Sequence, residues 1–214
     1  MRLTNTQRDI IIGSILGDGF LQKTGASNAR LRFEHSAKQE KYLLWKIGKL
    51  PDLFQGRVTH LDRVHPGSGQ TYSYVRSQSN ATPILGKLRQ IFYEDGRKQI
   101  PANLEELLSP LVLAVWYMDD GYYYKRDNCA YLYICQVKKV EATHIQQALS
   151  RKLGLLARVL DKGQKGWALY FSPTETAKLS NCISKYVISE MLYKLPDPVT
   201  TERKPKLASS EIAK

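Results

Sequence analysis

The feature that most constrains this chain is a pattern written twice. IIGSILGDGF at residues 11–20 and LAVWYMDDGY at 113–122 are each an apolar stretch closed by Asp-Gly, and the closing aspartates, Asp18 and Asp120, lie 102 positions apart. Downstream, ARLRFEH from Ala29 and AYLYICQ from Ala130 alternate as strands do, at an offset of 101. KQEKYLLWKIGKL from Lys38 and KVEATHIQQALSRKL from Lys139 follow at the same offset of 101, with apolar residues at helical spacing. Two further strands come next in each half, QGRVTHLDRV and QTYSYVRS in the first, LARVLDKG and GWALYFSP in the second. Each half then closes with a helical segment, TPILGKLRQIFYEDG or TETAKLSNCISKYVISEML, and a short signature, KQIP at 98–101 or YKLP at 193–196. Elements recurring in one order at a nearly constant offset predict a tandem duplication.

The order of elements predicts an α+β class, a pseudo-twofold tandem repeat of αββαββα units with antiparallel sheets. The repeats are expected at residues 1–101 and 102–200, with 201–214 a polar, flexible tail. A hydrophobic share of 43% is ample for a core. The balance of 32 Lys and Arg against 20 Asp and Glu, a net +12, favours a polyanionic partner, although lysines also serve plain solubility. Three cysteines, Cys129, Cys135 and Cys182, suit neither a disulfide framework nor a four-ligand zinc site and point to a reducing, intracellular setting. The apolar run at the start is interrupted too soon to be a secretory signal or a membrane span, so no membrane association is expected.

An apolar helix ending in Asp-Gly invites an ordinary C-cap reading of Gly19 and Gly121. A carboxylate there meets the negative end of the helix dipole, however, and the same unfavourable choice at both repeats calls for a compensating cation, a divalent metal above all. If a pseudo-twofold axis runs between these helices, Asp18 and Asp120 arrive side by side. Gly13 and Gly17, spaced i and i+4, either clear a face for close approach of the second helix or merely weaken the first; Ala114 has the weaker corresponding place.

IIGSILGDG and LAVWYMDDG resemble the two copies of the motif that names the LAGLIDADG homing endonucleases. Leu113, Ala114, Asp120 and Gly121 match the motif's flanks, while Trp116, Tyr117 and Met118 are bulkier than its middle. The YMDDG form and the KQIP and YKLP signatures are similar to the monomeric, intron-encoded branch, and the resemblance runs from residue 9 to about 200. It implies a double-stranded DNA substrate, divalent-metal phosphodiester hydrolysis, and one essential acid per motif, Asp18 and Asp120. It also implies the carbonyls of Gly17 and Asp119 as further metal ligands. Oxygen ligands favour Mg2+ or Mn2+. The Asp119 side chain is open to a direct catalytic role or a supporting one. Lys98 and Lys194 offer fixed positive charge near the reacting phosphate, with Gln99 competing for the place of Lys98. His35 and Gln136 either order water or serve structure. The alternative reading is an RNA maturase that assists splicing of an intron RNA.

Long polar side chains alternate along the strands, so that one sheet face packs on helices while the other meets DNA as a saddle. In the first half Arg30, Arg32, Glu34, Arg57 and Arg63 join Tyr72, Tyr74 and Arg76. In the second, Tyr131 and Tyr133 replace arginines, with Lys125, Arg126, Arg158, Lys162 and Lys165 around them. Arg reads base edges in the major groove and Lys and Tyr position phosphates, so unequal halves predict an asymmetric target.

Overall fold

The computed structural model describes residues 2–135 and 137–197. Gln136 and the tail 201–214 lie outside the described residues. Helix α1 (Asn5–Leu16) begins at a capping box in which Thr4 Oγ1 accepts the Gln7 amide and the Gln7 side chain accepts the Thr4 amide. Then follow β1 (Phe20–Lys23), β2 (Ala29–Ser36), α2 (Glu40–Gly48), β3 (Thr59–Val64), β4 (Thr71–Gln78) and α3 (Pro83–Phe92). A short hairpin of β5 (Tyr93–Glu94) and β6 (Arg97–Lys98) and a one-turn helix α4 (Leu104–Leu107) lead to α5 (Pro110–Asp120). The second half repeats the order as β7 (Gly121–Tyr124), β8 (Cys129–Cys135), α6 (Lys139–Leu153), β9 (Arg158–Asp161), β10 (Trp167–Phe171) and α7 (Pro173–Ile183).

Each half contributes its own four-stranded antiparallel sheet, and the two share one topology, β1-β2-β4-β3 and β7-β8-β10-β9. Alternation sets the faces: Ala29, Leu31, Phe33 and His35 of β2 are buried while Arg30, Arg32 and Glu34 are half-buried on the other side. Thr82-Pro83 and Ser172-Pro173 start α3 and α7 in the same way, a hydroxyl accepting an amide three residues on and proline in the first turn.

Helices α1 and α5 lie against each other and form the centre of the core. Ile10 to Leu16 and Val112 to Met118 are buried around the whole circumference, because each helix is enclosed by its sister and by the surrounding elements. Close approach requires Gly13: a Cβ there would lie 2.6 Å from the Val112 carbonyl oxygen and 2.8 Å from Val115 Cβ. At the start of the pair, Ser109 Oγ donates to Asp9 Oδ2 at 2.6 Å, fixing one helix on the other. Among the described residues no helix is long and apolar enough to cross a membrane.

Two segments depart from the sequence expectation. Helix α3 ends at Phe92, so that Tyr93–Gly96 of IFYEDG leave it: Asp95 and Gly96 adopt φ of 47° and 78°, and the Asp-Gly pair turns the chain into the β5–β6 hairpin that carries Lys98. The closing helix of the second half stops at Ile183 and is followed by two 3-10 turns, Ser184–Tyr186 and Ser189–Lys194. The break falls at Val187 and Ile188, which are extended (φ −79°, ψ 125° and φ −73°, ψ 157°), as β-branched residues favour.

Candidate functional site

The two motif helices end differently, and neither ends in the left-handed glycine cap considered from sequence. Helix α1 stops at Leu16 with Gly17 at φ −87° and ψ −129°, leaving Asp18 just beyond the last turn, whereas α5 continues through Asp120 and Gly121 is extended. Asp18 and Asp120 nevertheless line the same cavity, of about 200 Å³, together with Gly17, Lys98, Gln99 and Trp116. Among the described residues the Trp116 indole N–H has no hydrogen-bond partner. The cavity thus joins one carboxylate from each half, as the pseudo-twofold reading requires.

Behind it lies a closed loop of polar contacts that was not anticipated. Lys46 of α2 donates to both oxygens of Asp119, at 2.7 and 2.9 Å, and both side chains are fully buried. The Tyr42 hydroxyl donates to Asp119 Oδ1 at 2.9 Å, and the Asp18 amide donates to Asp119 Oδ2 at 3.2 Å. His35, buried at the end of β2, has Nε2 3.4 Å from the Lys46 ammonium and Nδ1 3.5 Å from Asp18 Oδ2. An ammonium only donates, so Nε2 accepts and the ring proton sits on Nδ1, facing Asp18. His35 therefore has definite partners. The ligand atoms of Asp18, His35 and Asp119 lie within 4.8 Å of one another, as in a metal site, but the Lys46 ammonium already sits against two of the three.

The Asp119 oxygens are thus fully engaged by Lys46, Tyr42 and the Asp18 amide. The place of this side chain is made by Gly17: a Cβ on Gly17 would come within 2.5 Å of Asp119 Oδ2. The backbone carbonyls named from sequence are also engaged. Lys98 donates to the Gly17 carbonyl at 2.6 Å, and Lys194 donates to those of Asp119 at 2.9 Å and Met118 at 2.6 Å. Gly17 and Asp119 correspond across the 102-residue offset, so Lys98, and not Gln99, is the positional equivalent of Lys194.

Electrostatics distinguishes the two motif carboxylates. Burial and the charges of Asp18 and Asp119 push the Asp120 carboxyl up to about 8, against the opposing pull of Lys98 and Lys194. Burial also acts upward on Asp18, but the His35 hydrogen bond and the Lys46 and Lys194 charges outweigh it and leave the group below its ordinary value. Burial lowers the Lys194 ammonium despite three carboxylates nearby. Tyr42 is raised well above a normal phenol by burial and by the Asp119 charge, and stays a donor.

The sheet faces differ as expected. On the first, Glu34 gathers Arg63 (2.6 and 3.0 Å) and Arg76 (2.6 and 2.7 Å), and Arg32 lies over the Phe20 ring. Arg30 reaches Gln78 at 3.4 Å, Tyr74 lies under Arg63, Tyr72 is exposed, and Arg57 is exposed where the chain enters β3. On the second, Tyr131 and Tyr133 stack at 6.3 Å, Lys162 covers Tyr131, Arg158 covers Tyr170, and Lys165 is exposed in the β9–β10 turn. Lys125 and Arg126 sit in the β7–β8 turn, paired with Asp197 and Asp127.

The sequence from residue 8 to 179 matches the model of the LAGLIDADG DNA endonuclease family, and this span includes both Asp-Gly motifs and both four-stranded sheets. The chain belongs to the LAGLIDADG DNA endonuclease family. Among solved structures it is similar to the homing endonuclease I-WcaI bound to its DNA recognition sequence, at 26% identity and a TM-score of 0.85, covering 93% of this chain and 89% of that one. It is 25% identical to DNA endonuclease I-ChuI of Chlamydomonas applanata, over 92% of this chain and 97% of that protein. A protein named RecA from Mycolicibacterium flavescens is 32% identical over 209 residues, 91% of this chain and 47% of its own length. The chain thus spans about half the length of that RecA relative. In this LAGLIDADG chain the two motif aspartates share one cavity, and Lys98 and Lys194 donate to corresponding backbone carbonyls beside them.

Proposed function

We propose that this chain makes site-specific double-strand breaks in DNA, with Asp18 and Asp120 holding the divalent metal for phosphodiester hydrolysis. The observation that carries the reading is the convergence of the two motif carboxylates, one from each half, on a single cavity, where burial and the charges of Asp18 and Asp119 raise Asp120 to about 8. A divalent cation held between the carboxylates would offset both the burial and the repulsion. The donor set, Asp18, Asp120 and the carbonyls of Gly17 and Asp119, is all oxygen and fits Mg2+ or Mn2+. When bound, the metal supplies an acidified water and charge neutralisation at the leaving oxygen.

The chain's own groups do the rest. His35 orients the Asp18 carboxylate, and Asp119, locked by Lys46 and Tyr42, holds the Asp18 amide in place. Lys98 and Lys194 bring fixed positive charge to the same helix ends, where charge develops on a phosphate in hydrolysis. Because a single chain provides both carboxylates, it is proposed to act as a monomer, with residues 1–101 and 102–200 each taking one half of the target. The outward sheet faces, as a saddle, are proposed to follow the major groove. The RNA-splicing alternative gives the paired carboxylates and lysines no role. The test is cleavage of a duplex library with Mg2+ present or chelated: discrete metal-dependent double-strand ends at one sequence are expected, and an uncut library that includes the chain's selected binding sequence would contradict the reading.

A further inference from the structure

The second sheet carries an aromatic row that the arrangement at the cavity does not use. Strand pairing sets Tyr122 opposite Tyr131, Tyr131 opposite Tyr170, and Tyr170 opposite Arg158, one residue from each of the four strands in a line across the face. Tyr122 is 51% exposed. The Tyr131 and Tyr170 rings are 5.4 Å apart, and Lys162 and Arg158 lie over them at 4.7 and 4.6 Å. On the first sheet the corresponding central strands present Arg32 opposite Gln78 and Glu34 opposite Arg76.

These surfaces differ in what they can recognise. Arginine and glutamine make paired hydrogen bonds to guanine and adenine in the major groove, and glutamate accepts from the cytosine amino group. A tyrosine ring offers apolar surface and one hydroxyl, and the single apolar feature of a major-groove base edge is the thymine methyl. The basic groups above the rings, Lys162 and Arg158, are held there by the ring faces and supply phosphate attraction that seats a duplex.

We propose that the second sheet reads its half-site through thymine methyl groups, with Tyr122, Tyr131 and Tyr170 as the specificity-determining side chains. The proposal rests on the DNA-cleaving reading and names the chemistry of one half of its substrate. Base-specific hydrogen bonding is then concentrated in the half-site under the first sheet, and the second half-site is thymine-rich and tolerant of changes that keep the methyl.

The experiment is selection of bound duplexes from a randomised library by the full chain in metal-free buffer, followed by uracil-for-thymine replacement in one half-site at a time. Selection with Arg32→Ala identifies the half-site under the first sheet as the one whose sequence relaxes. Burial of one methyl corresponds to about a fourfold change in affinity, so uracil in the second half-site should weaken binding about fourfold per contacted methyl and leave the first half-site within about twofold. Tyr131→Ala should shrink that ratio, while Tyr131→Phe, which keeps the ring, should preserve it. Equal uracil effects in both half-sites, or an undiminished ratio in Tyr131→Ala, overturn the assignment. A chain that selects no duplex at all removes the endonuclease reading and this inference with it.

Discussion

The Asp119 side chain fills the space that Gly17 leaves open. A Cβ on Gly17 would lie 2.5 Å from Asp119 Oδ2, the same oxygen that accepts the Asp18 amide at 3.2 Å. The two motifs are therefore not interchangeable copies: one has given up a side chain so that the other's carboxylate can cross the pseudo-twofold axis and brace it.

Gly17→Ala should accordingly be costly. The neighbour is a locked carboxylate and not a movable chain end, and overpacking of this kind destabilises by about 1–3 kcal/mol. A thermal melt should show a loss of about 2–4 °C per kcal/mol, and cleavage should fall with it because Asp18 is displaced. An unchanged melting temperature would show that the helix ends give way freely.

Lys46→Met should leave the Asp119 carboxylate buried without its cation, a loss of about 3–5 kcal/mol in denaturant unfolding. Adding Asp119→Leu to it should recover much of that stability, since both charges are then gone, without restoring cleavage. Additive losses in the two single variants would mean the pair is not coupled.

How much of this was legible in the sequence depends on whether a residue's role is local or is created by packing. The Asp-Gly endings, their spacing and the strand order follow from short-range pattern, and the paired sheets reproduce them. Lys46 was missed because a lysine on an amphipathic segment usually reads as solvated. Its signal was its place: Tyr42, Leu43, Lys46 and Ile47 share one helical face and all are buried, so the lysine interrupts an apolar stripe. His35 was noted but left without a partner, because Asp18 and Lys46 reach it only through the tertiary fold. The hairpin that delivers Lys98 was hidden in a helical pattern whose Asp95-Gly96 pair was the turn signal.

The raised Asp120 carboxyl makes a prediction with a definite sign. In the folded chain the group keeps its proton up to about 8, whereas the ordinary value is 3.8, so folding is favoured by protonation and the metal-free protein loses stability as pH rises between the two. Asp120→Asn removes that penalty. Without metal, the variant should melt about 2–4 °C above the parent near pH 9, equivalent to about 1 kcal/mol after allowing for partial exposure, with the gap closing near pH 5. A gap of constant size across that range would place the cause elsewhere.

Protons and metal compete for the same carboxylate, so the Mg2+ concentration needed for half-maximal cleavage should fall as pH rises toward and past about 8. A metal requirement that does not change with pH would remove Asp120 from the ligand set.

Duplex affinity should fall steeply with salt, by about a thousandfold from about 50 to about 200 mM if six phosphates are contacted, because each contact releases counterions. Lys162→Ala should reduce the slope by about one. A flat salt response would separate the net +12 charge from nucleic-acid binding.

The central claim is tested most directly by cleavage of the chain's selected duplex target in Mg2+, comparing the parent with Asp18→Asn and Asp120→Asn in the same preparation. The expected result is double-strand cutting by the parent, a loss of at least about a thousandfold in both variants, and metal-free binding of the target retained by all three. Cutting by either variant at the parental rate would contradict the assignment of Asp18 and Asp120 as the metal-holding pair.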